Sequence, residues 1–175
     1  MSIEHLKQKI PDFAKDIRLN VSNLFANITQ SGLTEGQFYG AALAIAYSLK
    51  NKLIIEAISS EGENYIIPEL QQAAKLAAVL MAMNNVYYRA IHLAEHKEIS
   101  LMPANLRMNG MMNPGVPKVD FELFALAVSA LNGCGMCIHS HVKQLEEENI
   151  SRAAIQSVLR IAAVLNALSL AITIE

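Results

Sequence analysis

An all-α single domain is the fold class this sequence predicts, on three observations. Apolar residues recur at helical spacing along nearly the whole chain. Alternating apolar and polar runs bounded by turn residues, the mark of strands, are scarce. The two halves also resemble each other: the run Phe38 to Ala46 matches Phe121 to Ser129 at Phe, Ala, Leu and Ala, with Ile45 opposite Val128, and Leu76 to Met83 falls opposite Ile161 to Leu168 at nearly the same offset. Two helical units of this kind, each with one broad apolar face, bury those faces against each other in a single core.

The elements follow in order. Thr34 with Gln37 three residues on forms a capping box ahead of the apolar helix Phe38 to Leu49. Pro68 suits the first turn of a helix expected to run to about Met83. The stretch Glu98 to Lys118 holds Pro103, Gly110, Pro114, Gly115 and Pro117, which is turn chemistry, and it divides the chain. Asn132-Gly133 stops the following helix, because both residues accept the left-handed conformation of a C-terminal stop, and the next helix begins at the cysteines. The single domain, residues 1–175, therefore contains one repeat at about 17–97 and a second at about 117–175. Asn51 and Ile54 stand where the second copy has Cys134 and Cys137, so the first repeat is read as inactive and the second as redox-active.

Composition narrows the classes of function. A chain of 175 residues that is 53% hydrophobic and 17% charged folds into one domain and is not intrinsically disordered. A net charge of -2, with no run of Lys or Arg, leaves no surface for neutralising phosphates, so nucleic acid is not an expected partner. The longest apolar stretches, Leu76 to Met83 and an Ile161 to Ile174 run interrupted by Asn166, Ser169 and Thr173, fall short of the roughly 20 residues of a bilayer span, and no membrane association is expected. The N-terminus carries Glu4, Lys7 and Lys9 and leads into no signal-peptide core, which points to the cytoplasm. Several helices are apolar beyond one stripe, and a homo-oligomer is expected to cover the excess.

The chemistry concentrates at Cys134-Gly-Met-Cys137. In a reducing compartment a close pair signals redox or metal chemistry rather than a structural staple. At a helix N-terminus the thiolate is favoured by unpaired amides and the dipole, and a three-residue separation brings the Cα atoms within disulfide range. His141 follows Cys137 by four residues and Cys134 by seven, which sets a base on the same helix face. His139 points roughly opposite and takes a smaller part. Glu122, on the preceding helix, would orient the imidazole if the hairpin angle lets it reach His141, completing a Glu, His, Cys proton path.

Competing readings are weaker. Zinc accepts Cys and His, but Cys134, Cys137, His139 and His141 on one helix cannot converge on a tetrahedral centre. A thioredoxin-like reductase needs a strand before its Cys pair, where Glu122 to Leu131 is helical in pattern. A non-catalytic sensor, in which oxidation of the pair alters partner binding, is the alternative of a different class. The methionines, Met81, Met83, Met108, Met111, Met112 and Met136, read as packing or interface residues, and Glu146 to Glu148 as a solvated helix end.

The segments Leu106-Arg-Met-Asn, Asn113-Pro-Gly-Val-Pro-Lys, Phe121-Glu-Leu, Ala127-Val-Ser-Ala and Asn132-Gly-Cys-Gly-Met-Cys with Ser140-His141 resemble the alkyl hydroperoxidase D (AhpD) family of the carboxymuconolactone decarboxylase-like superfamily. The resemblance implies a homotrimeric antioxidant enzyme that reduces alkyl hydroperoxides weakly itself and whose principal task is regenerating an AhpC-type peroxiredoxin. It implies that Cys137 is the peroxide-attacking thiol that passes through a sulfenic acid. Cys134 is by implication the more exposed thiol, which donates a proton, closes the disulfide and forms mixed disulfides with a partner. Glu122 and His141 would be the proton relay. No bound cofactor is implied; electrons would come from dihydrolipoamide on a lipoyl-bearing dehydrogenase component. Some relatives carry His just before the second cysteine; Met136 stands there in this chain and cannot move protons. The lactone decarboxylase chemistry of other superfamily members needs no thiol pair.

Overall fold

Thr34 and Gln37 form the expected capping box: each side chain takes up the other residue's backbone N–H. The helix they open is one of nine α-helices among the described residues, 1–174, of a computed structural model. These are α1 (Ile3–Gln8), α2 (Lys15–Ala26), α3 (Glu35–Leu49), α4 (Lys52–Glu61), α5 (Pro68–Ala94), α6 (Lys97–Ser100), α7 (Lys118–Leu131), α8 (Gly135–Glu147) and α9 (Arg152–Thr173), with short 3-10 turns between some of them. No strand occurs among the described residues, in agreement with the all-α expectation.

Helices α3 and α7 are the centre of the bundle. Every residue from Phe38 to Ala46 and from Phe121 to Ser129 is buried, so these helices are enclosed all round and need partners on every side. They pack on each other; α5 and α9 cover both, α4 lies on α3, and α8 lies on α7. The close approach of α3 and α7 depends on Gly40, where a Cβ would overlap the ring of Phe124. Gln37 Nε2 donates to Asp120 Oδ1 at 2.8 Å across the same contact, and these residues, 83 positions apart, occupy corresponding places in the two similar sequence runs.

Two expectations change. Helix α5 does not stop near Met83 but continues to Ala94, because no Gly or Pro breaks it, and Asn84 and Asn85 are buried within it; it ends where Glu95 turns left-handed at φ 50°. The apolar run interrupted by Asn166, Ser169 and Thr173, expected to fall short of a bilayer span, lies in the 22-residue helix α9, which is long and apolar enough to cross one by length and composition. Helical backbone satisfies itself across such isolated polar residues, and half of this apolar window is buried against the bundle, where α9 packs on α2, α3 and α7.

The outer face of α5 carries Val79, Val86 and Leu93, seven residues apart and 60–71% exposed. A seven-residue repeat keeps such side chains on one stripe.

Candidate functional site

The site is built at the turn from α7 to α8. Gly133 takes the left-handed conformation at φ 66°; its N–H donates to Ala130 O, and Cys134 N–H donates to Ser129 O at 3.2 Å. This is the double bond pattern of a Schellman stop, and it needs the residue without a Cβ at Gly133. Cys134 then serves as N-cap of α8, its Sγ accepting the N–H of Cys137 at 3.4 Å. The sulfur thereby meets an otherwise unpartnered donor at the positive end of the helix, the environment that stabilises a thiolate.

The two cysteines are joined as a disulfide with a Cα–Cα distance of 5.3 Å, inside the range expected from their spacing. Their exposures run opposite to the implied order. Cys134 is fully buried and Cys137 is 7% exposed, because Cys134 turns inward as a cap while Cys137 lies one turn further, facing a cavity.

His141 and Glu122 meet. The imidazole Nδ1 lies 2.6 Å from Glu122 Oε2, and both side chains are buried. The antiparallel packing of α8 on α7 decides this contact. The carboxylate accepts from Nδ1–H, which leaves Nε2 as the free ring nitrogen. His139 is exposed and takes no part in the cavity lining. Among the described residues no three His, Cys, Asp or Glu side chains are grouped to hold a metal ion.

Cys137, Ser140 and His141 form one wall of a cavity of about 330 Å³. The opposite walls come from α5, through Met81, Asn84 and Tyr88, and from the loop region before α7, through Met108 and Met111. Met136 also lines it. The cavity beside the cysteine pair thus takes its walls from the first half of the chain as well as the second. The methionines, read as packing or interface residues, include four that face the redox centre. The one sequence signal that could have found these walls is the polar Asn84-Asn85 pair inside an apolar helix.

A buried carboxylate on α7 bonded to a histidine that shares its helix with a cysteine pair is a specific constellation, and the chain that carries it is similar to known proteins. Residues 97–173, which include all four site residues, match the carboxymuconolactone decarboxylase family. The chain is 52% identical over 175 residues to alkyl hydroperoxide reductase AhpD of Rhodopseudomonas palustris (strain BisA53), covering all of this chain and 94% of that protein. It belongs to the AhpD family.

The AhpD proteins of Brucella canis and Coxiella burnetii (strain RSA 493 / Nine Mile phase I) are similar at 49% and 46% identity, over 98% and 99% of this chain and 97% and 98% of theirs. With similarity over essentially its whole length, the chain has the helical frame and the Cys-x-x-Cys turn within one AhpD domain.

Proposed function

We propose that this AhpD-family protein is a thiol-dependent alkyl hydroperoxide reductase. The observation that carries the reading is the Glu122–His141 contact at 2.6 Å beside the Cys134–Cys137 disulfide. In the reduced protein His141, oriented by Glu122, accepts the Cys137 proton. The thiolate attacks the terminal oxygen of ROOH; the O–O bond breaks, Cys137 becomes a sulfenic acid, and the departing RO⁻ takes the proton from His141 to leave as ROH. The Cys134 thiol then attacks the Cys137 sulfur, forming the disulfide and releasing water. A dithiol returns both cysteines to thiols by exchange and leaves as its own disulfide.

Dihydrolipoamide, carried on a lipoyl-bearing dehydrogenase component, is the proposed donor, and the disulfide of an AhpC-type peroxiredoxin is a second oxidant for the reduced Cys134 and Cys137 pair. Because Cys134 is buried, an external thiol reaches Cys137 first through the cavity, and a mixed disulfide on Cys134 requires the α7–α8 turn to open. The exposed Val79, Val86 and Leu93 stripe supports self-association, for which the proposed state is a homotrimer, and the proposed location is the cytoplasm.

The test is consumption of cumene hydroperoxide with dihydrolipoamide by the wild type, Cys134→Ser and Cys137→Ser. Turnover by the wild type and its loss in both variants is the expected result. No wild-type turnover, with a disulfide that dithiols still reduce, would favour the alternative of a disulfide reductase or redox sensor acting on another protein.

A further inference from the structure

Asn84 is 5% exposed and lines the cavity that Cys137 and His141 face. Its Nδ2 donates to Met108 Sδ at 3.0 Å, while its Oδ1 is buried without any partner. The opposite amide orientation would set two acceptors, a carbonyl oxygen and a thioether sulfur, against each other. This side chain is therefore poorly satisfied: one end meets a weak acceptor and the other meets nothing. Buried amides are normally paired, and one that is not, in the cavity that the redox cysteine lines, calls for a function.

A hydroperoxide has the complementary pattern, with one O–H donor beside two acceptor oxygens. We propose that Asn84 is a substrate-binding residue whose Oδ1 accepts the terminal O–H of an organic hydroperoxide and so aims its O–O bond at Cys137. The assignment rests on the peroxidase reading above. Met108 precedes the 3-10 turn Asn109–Met112 on a non-helical segment, and its unbranched side chain can swing from Asn84 to admit the substrate. Met81, Met111 and Met136 then form polarizable walls around the organic group. No bond is made or broken by Asn84; it orients the group on which Cys137 acts.

The experiment uses the near-isosteric Asn84→Leu in the full chain. Reduced protein is mixed with cumene hydroperoxide in single turnover, and loss of thiols is followed alongside the melting temperature. The expected result is a fall of about tenfold in the second-order rate, the worth of one hydrogen bond, with partial recovery in Asn84→Gln. The melting temperature is expected to hold or rise, because Leu removes an unpaired buried polar atom. A rate within twofold of wild type overturns the proposal, and so does an Asn84→Leu protein that melts lower or fails to fold, which would mark a structural residue. If the wild type itself loses no thiols to the hydroperoxide, the peroxidase reading fails and this assignment with it.

Discussion

Cys134 closes one helix and opens the next: its N–H donates to Ser129 O at the end of α7, and its Sγ accepts the N–H of Cys137 at the start of α8. The redox pair is thereby part of the turn's own hydrogen bonding. Serine is a better N-cap than a thiol, and alanine is none. Measured in reducing buffer, Cys134→Ser is expected to be more stable to urea than Cys134→Ala by about 0.5–2 kcal/mol. Equal stability of the two variants would show that the cap contributes nothing.

Glu122 and His141 act on one proton and are expected to behave as a unit. Glu122→Gln and His141→Gln should each lower hydroperoxide turnover by about 10²–10⁴-fold, the range of general acid–base contributions. The double variant should lose little beyond the worse single one, as groups sharing a function are non-additive. Full multiplication of the two losses in steady-state kinetics would show that they act independently.

The α5–α7 contact holds the turn through buried amides. Asn85 Nδ2 donates to Ser129 Oγ at 2.9 Å, and Asn132 Nδ2 donates to Asn85 Oδ1 at 3.0 Å. Both Asn85 and Ser129 are fully buried, so Asn85→Ala strands two partners and should cost about 1–3 kcal/mol in urea denaturation. A loss below about 0.5 kcal/mol, the level of an ordinary surface change, would contradict this role.

Gly40 tests how the two central helices meet. Alanine gains up to about 1 kcal/mol of helix propensity there. Against this, its methyl group is fixed to the backbone and would overlap Phe124, whose rigid, fully buried ring has no room to retreat, at a cost of about 1–3 kcal/mol or more. The overlap is expected to win: Gly40→Ala should unfold at lower urea concentration than wild type, and Phe124→Leu should be less harmful in its presence than alone.

What could be read from the sequence divides along physical lines. Cys134, Cys137 and His141 share one helix, so the spacing alone sets their common face, and the Asn132-Gly133 stop fixes where that helix starts. Glu122 was legible only as a candidate, since its reach to His141 depends on how α8 packs against α7, which no local pattern encodes. Asn84 and Tyr88 were not read as site residues because their wall is contributed by a distant helix. Met108 and Met136 carry no signal that separates cavity lining from packing, and Met81, only 1% exposed, does both. The burial of Cys134 follows from its capping rotamer, again a feature of the turn in three dimensions.

Ionisation of Tyr39 is expected to weaken the fold at alkaline pH. Its ring is 5% exposed, between Phe38 and Tyr65, and its hydroxyl pKa is pushed from 10.0 up to about 12, first by burial and then by the nearby charges of Glu61, Tyr65 and Glu35. Between about pH 10 and about pH 12 the unfolded chain has released a proton that the folded chain still holds, so the unfolded state binds fewer protons and stability falls as pH rises. Below pH 10 both states keep the proton and this contribution is fully present. The melting temperature is expected to drop across that window, and more shallowly in Tyr39→Phe, which has no proton to lose. Parallel pH profiles for the two proteins would show that Tyr39 ionisation does not govern alkaline unfolding.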